Sequence, residues 1–205
     1  MIIQLNRRKY LMREYNLLHA VFFKTRGVLM VPPLVFLGIF FRWEWEAEWA
    51  VWSLGLSIFL LGVAVRVWAQ QHLHYRLPEA ERGLATTGPY AFMRNPVYIG
   101  NMLIFAGLCV LCELPWAIPL FCVWAFIVYS LSIRFEEHRL RKRFGEAYIA
   151  YCERTPRWLP RKPVWPAANA APVAPLHSAL RAEWQCLCLL LIPLAKELLS
   201  HKLEG

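Results

Sequence analysis

VYIGNMLIFAGLCVLC (97–112), ELP (113–115) and WAIPLFCVWAFIVYSLSI (116–133) form one apolar hairpin, and its reading decides the fold. Two hydrophobic stretches joined by Glu113-Leu114-Pro115 and folded back through a bilayer return their polar flanks to the same membrane face. Before the hairpin runs Gly88-Pro89-Tyr90-Ala91-Phe92-Met93-Arg94-Asn95-Pro96. After it come Glu136-Glu137, Phe144-Gly145, Tyr148, Tyr151 and Pro156-Arg157-Trp158-Leu159-Pro160. The two flanks therefore read as halves of one site.

Outward from the hairpin the chain keeps this character. Its 205 residues are 58% hydrophobic, 15% aromatic and 18% charged, which is more apolar than a soluble domain needs to be. An apolar run from Gly27 to Phe41 contains Pro32-Pro33, which break or kink a helix, and no small-residue cleavage site follows it. The run from Trp49 to Ala69 is long enough to span, with Arg66 near its end placed to snorkel to the headgroups. With the two hairpin arms these make four expected spans. The pattern predicts an all-α, multi-pass transmembrane protein with a helical hairpin and a polar cap where its flanks meet.

Three parts follow from composition: a membrane domain over residues 1–162, with its core motifs at 82–160, a proline- and alanine-rich linker over 163–175, and a C-terminal segment over 176–205. The wholly apolar core of that last segment, Cys186 to Ala195, is short and contains Pro193, so an interfacial or half-buried helix is expected in preference to a fifth span.

The net charge of +9 is topological in this reading. Arg7, Arg8, Lys9 and Arg13 precede the first span, Glu44, Glu46 and Glu48 dominate the first connection, and residues 134–162 are again basic. The bias puts the N-terminus and both motif flanks in the cytoplasm, with Trp43, Trp45, Trp49 and Trp52 as an aromatic belt at the opposite interface. The basic residues do not form a face interleaved with stacking aromatics, so nucleic-acid binding is not expected. Five of the six cysteines sit in hydrophobic runs as small apolar groups, and the Cys109/Cys112 pair lacks partners for a tetrahedral site, so no metal is expected.

At the hairpin the sequence resembles the isoprenylcysteine carboxyl methyltransferase and phospholipid N-methyltransferase superfamily of membrane enzymes. That pattern runs G-x-Y-x-x-x-R-H-P-x-Y-x-G, a membrane hairpin, then E-E-x-x-L, F-G-x-x-Y-x-x-Y and R-x-P-x-x-L-P. Here Gly88, Tyr90, Arg94, Pro96, Tyr98 and Gly100 meet the first part. Glu136, Glu137, Leu140, Phe144, Gly145, Tyr148, Tyr151, Arg154, Pro156, Leu159 and Pro160 meet the second.

The resemblance covers roughly residues 65–162 and implies S-adenosylmethionine as cofactor and a lipophilic or lipid acceptor. It implies cofactor contacts from Arg82, Gly83, Leu84 and Ala85 through backbone and from Tyr90, Asn95, Pro96, Tyr98, Glu136 and Glu137. Arg94 and Asn95 would stand at the reacting centre, with Arg94 on an anionic group. Tyr148, Tyr151 and the Trp158 region would pack a cap over the site.

Two departures matter. Asn95 stands where the family has histidine; it keeps a donor and an acceptor but cannot titrate near neutral pH. Ser132 stands where the prenylcysteine enzymes have a substrate-holding arginine, which weakens prenylcysteine as acceptor. A carboxylate pair with aromatic faces suits a sulfonium and an ammonium. Read alone, Glu136-Glu137 would be a solvated patch paired locally with Arg139 and Arg141. His72 and His74 lie on separated helical faces and share no metal. The competing readings are a membrane reductase of the sterol reductase type, binding a nicotinamide cofactor, and a non-catalytic scaffold. A reductase would need basic residues converging on phosphates where this chain puts two glutamates.

Overall fold

The computed structural model describes residues 20–40, 48–73, 83–161 and 173–204. Helices dominate, and there is no strand among the described residues. In chain order they are α1 (Val31–Ile39), α2 (Glu48–His72), α3 (Pro96–Leu111), α4 (Ile118–Phe144), α5 (Glu146–Arg154), α6 (Leu176–Cys188) and α7 (Leu191–Glu204). Residues 20–25 are also helical. Arg7, Arg8, Lys9, Arg13, Trp43, Trp45, His74, Arg82 and most of the linker lie outside the described residues.

Each start has a local cause. Pro32 and Pro33 fall in the first turn of α1, where a missing N–H costs nothing, so they begin this helix after a 3-10 turn at Val28–Met30. Pro96 opens α3 in the same way. The hairpin turn bends at Glu113, which adopts φ 60, and is closed by the bonds from Glu113 N to Val110 O and from Leu114 N to Cys109 O, both 2.8 Å.

The tightest packing joins α2 to α3, and glycine sets it. A Cβ on Gly62 would lie 2.7 Å from Gly100 O and 2.8 Å from Ile104 N, and one on Gly107 would lie 2.6 Å from Phe59 N. The two backbones thus meet directly, as small residues permit between helices in lipid. Around this seam Phe59, Ile104, Leu108, Cys109 and Cys112 are buried with Leu37 of α1 and Phe121 of α4.

The outer faces are apolar as well. Leu120, Val123, Trp124, Phe126 and Ile127 on α4, and Leu54, Leu60 and Leu61 on α2, are exposed. Helices apolar on both core and outer faces are built for lipid. Three helical segments are long and apolar enough to cross a bilayer: Glu48–His72, Pro115–Phe144 and Leu176–Leu199. The other hairpin arm, α3, has 16 residues, about 24 Å at the helical rise, and Val28–Ile39 is shorter still.

The C-terminal segment, expected as an interfacial or half-buried helix, packs against the other helices. Its helical stretch extends well beyond Cys186–Ala195, and it docks on the rest. Ala174 N donates to Gln71 O at 2.8 Å, Glu183 of α6 is buried against α2, and Lys196 of α7 donates to Cys112 O at the hairpin turn.

Candidate functional site

The two polar flanks close on each other by backbone bonds before any side chain is considered. Arg94 N donates to Pro156 O at 2.8 Å, and Arg161 N donates to Phe92 O at 3.1 Å. The Tyr151 hydroxyl donates to Tyr90 O at 2.8 Å, and Asn95 Nδ2 donates to Arg157 O at 3.0 Å. Gly88, at φ +58, makes the turn into this layer, and a Cβ there would fall within 2.6 Å of the His72 ring. His72 in turn sits 2.9 Å from the Thr87 hydroxyl.

Between the flanks and the cytosol-expected ends of α2, α3 and α4 lies a cavity of about 780 Å³. Gly83, Leu84, Ala85, Tyr90, Arg94, Asn95, Tyr98, Glu136 and Glu137 all line it. Pro96 does not; it is buried as the first residue of α3. Arg82 lies outside the described residues.

The two glutamates have different surroundings. Glu137 is held by two arginines: Arg157 Nε and Nη2 donate to its two oxygens at 3.0 and 2.5 Å, and Arg94 Nη1 donates at 3.0 Å. The partners of Glu137 thus come from both flanks, and not from Arg141 one helical turn away, the local pair that the glutamates read alone would make. The bond to Glu137 also holds the Arg157 guanidinium charged beyond its usual range. Glu136 instead accepts from the Tyr98 hydroxyl at 3.3 Å and faces the cavity. Arg94 Nε is buried there without a hydrogen-bond partner.

On α5, Tyr148 is 2% exposed. Burial raises its phenol pKa, as it does for Tyr151. Ser132, where the prenylcysteine enzymes carry arginine, is fully buried and donates to Val128 O at 2.9 Å and Phe22 O at 3.3 Å. The helical stretch 20–25 thus packs against this position.

Several lining residues have no sequence signal. Phe23 and Arg26 enter from that N-terminal stretch, the Arg26 guanidinium 4.1 Å from the Phe23 ring centroid. Arg66 does not snorkel: it turns inward, Nε donating to Glu183 at 2.6 Å and Nη1 to Asn101 Oδ1. A buried carboxylate on α6 gives it a better partner than the headgroup layer. Among the described residues no group of three His, Cys, Asp or Glu side chains could hold a metal ion.

Fold and cavity together define an all-α membrane protein whose polar site is assembled from both flanks of an apolar hairpin. The phospholipid methyltransferase family profile matches residues 50–147. The chain is 30% identical over 122 residues to protein-S-isoprenylcysteine O-methyltransferase B of Arabidopsis thaliana, covering 56% of this chain and 62% of that one. It is 30% identical to the nickel-cobalt-cadmium resistance protein NccN of Alcaligenes xylosoxydans xylosoxydans, covering 58% and 55%. It is 32% identical to the cobalt-zinc-cadmium resistance protein CzcN of Cupriavidus metallidurans, covering 58% and 54%. Over these residues the chain is similar to the superfamily of isoprenylcysteine carboxyl methyltransferases and phospholipid methyltransferases. The matches span between 54 and 62% of these relatives' lengths. No solved structure matches the chain.

Proposed function

We propose that this protein is an integral-membrane methyltransferase that binds S-adenosylmethionine in the cavity and methylates a lipophilic or amphipathic acceptor at the cytoplasmic interface. The observation that carries the reading is the division of labour within the glutamate pair. Glu137 is committed to Arg94 and Arg157, while Glu136 presents a carboxylate to a cavity lined by Tyr90 and Tyr98. The volume is in the range of small-molecule sites, and the donor set suits a ligand carrying both cations and a carboxylate. Such a cofactor supplies an electrophilic methyl group on a sulfonium.

The chain's own residues bind and orient. Glu136 takes an ammonium or ribose hydroxyls, and the tyrosine rings offer faces to a sulfonium. The unpartnered Nε of Arg94 meets an anionic group, and the backbone of Gly83 to Ala85 approaches the same ligand. Asn95, donating to Arg157 O, closes the flanks and titrates nothing. Methyl displacement depends on in-line placement and exclusion of water, which the Tyr148 and Tyr151 cap supplies. No histidine is among the described lining residues, so the site suits an acceptor that arrives deprotonated. The excess of lysine and arginine in residues 134–162 supports the cytoplasmic placement of this face.

Calorimetric titration of the detergent-purified chain with S-adenosylhomocysteine and, in parallel, NADPH tests the reading. Saturable binding of the first alone is expected. Binding of NADPH alone moves the protein to the reductases, and binding of neither leaves a non-catalytic scaffold.

A further inference from the structure

Glu183 is the carboxylate most deeply placed among the described side chains, 2% exposed. It lies on α6, outside the stretch that the family profile matches. Its two oxygens accept from Arg66 Nε at 2.6 Å and Gln70 Nε2 at 2.7 Å. Arg66, Gln70 and Asn101 all line the cavity, so α6 is wired into its wall.

The wiring continues. Arg66 Nη1 donates to Asn101 Oδ1, which fixes the amide so that Nδ2 is free to donate to the Tyr129 hydroxyl at 3.1 Å. The Tyr129 ring stacks on Tyr98, centroids 4.5 Å apart at 29°. Tyr98 carries the hydroxyl that bonds Glu136. A charged pair on one side of the cavity thus sets, through an amide and a ring stack, the orientation of the tyrosine that holds the cofactor-facing carboxylate.

We propose that Glu183 is a positioning residue for the cofactor site: it neutralises Arg66 and fixes the Asn101, Tyr129 and Tyr98 arrangement on which the aim of Glu136 depends. The proposal rests on the reading of the cavity as an S-adenosylmethionine site. The C-terminal helix is then part of the binding machinery, and a buried pair that merely staples α6 to α2 is the alternative.

The two are separated by replacing the pair as a unit. Removing one partner of a buried pair destabilises, whereas apolar groups of like volume in place of both recover stability. The full chain in detergent is titrated with S-adenosylhomocysteine as wild type, as Glu183→Gln, and as the double variant Arg66→Met/Glu183→Met, with melting followed in the same samples. The double variant is expected to melt near wild type yet bind about five- to tenfold more weakly, the scale of coupling through a packed network. Glu183→Gln, which keeps volume and one acceptor, is expected to weaken binding in the same direction. Ala179→Val crowds a fully buried α6 position outside the network; it should lower the melting temperature and leave affinity unchanged. Wild-type affinity in both network variants overturns the proposal. Absence of binding by the wild-type chain overturns the cofactor reading itself and the inference with it.

Discussion

The sharpest prediction separates two adjacent glutamates that a motif treats as one. Glu137 accepts three hydrogen bonds from two guanidinium groups. Its own side chain is 18% exposed, that of Arg94 16% and that of Arg157 37%. Glu137→Ala leaves Arg94 a half-desolvated cation beside its already unpartnered Nε; losing one charge-assisted bond there costs about 1.5–3 kcal/mol. The Arg157 side of the bracket is wetter and adds about 0.5–1 kcal/mol. The expected loss of stability is therefore about 2–4 kcal/mol.

Glu136→Ala gives up one bond of 3.3 Å from Tyr98, about 1 kcal/mol or less. It also removes the carboxylate facing the cavity. A pair of charge-assisted bonds to an ammonium or ribose lost there weakens ligand binding by at least about tenfold. Tryptophan-fluorescence melting in detergent and calorimetry with S-adenosylhomocysteine read the two effects on the same preparation. The reasoning is refuted if Glu137→Ala melts like wild type, or if Glu136→Ala destabilises as much while keeping wild-type affinity.

The remaining expectations concern the frame around the site. Gly62→Ala and Gly107→Ala drive a methyl group into the facing backbone and should each cost about 2 kcal/mol or more, seen as lowered melting temperatures; an unchanged value would mean that α2 and α3 do not meet at these glycines. Gly88→Ala combines a positive φ with the His72 ring and should lower affinity for S-adenosylhomocysteine together with stability, because it displaces the turn that carries Tyr90. Burial holds the phenols of Tyr148 and Tyr151 protonated above the ordinary tyrosine range. The folded chain then retains protons that the unfolded chain releases near pH ~10, so this stability is complete below that pH and is lost progressively as pH rises from there through the raised folded-state range. Melting temperature against pH should show this decline, and Tyr151→Phe should reduce it.

Much of this arrangement was legible because hydropathy and motif order are one-dimensional signals. A hairpin of two apolar arms must return its flanks to one face, and Tyr90, Arg94, Tyr98, Glu136 and Glu137 accordingly line a single cavity. Partners chosen across the fold were not legible. Helical spacing offered Arg141 to Glu137, and the fold supplied Arg94 and Arg157 through the closure of two loops that share no periodicity.

Arg66 shows why such residues escape a reading of the sequence. An arginine near the end of an apolar helix has two physical solutions: extend its stem to the headgroups, or turn inward to a buried anion. Composition within the helix is identical in both cases, because the deciding group lies on another element. Here that group is Glu183, 117 positions away, in a segment whose own pattern shows only an amphipathic helix. A carboxylate in such a segment is costly to bury unless a cation awaits it, so each of the two residues is the explanation of the other. Having met at the cavity wall, beside Asn101 and above the Tyr129–Tyr98 stack, the pair is placed where a change in either side chain is felt by the site and not only by the fold.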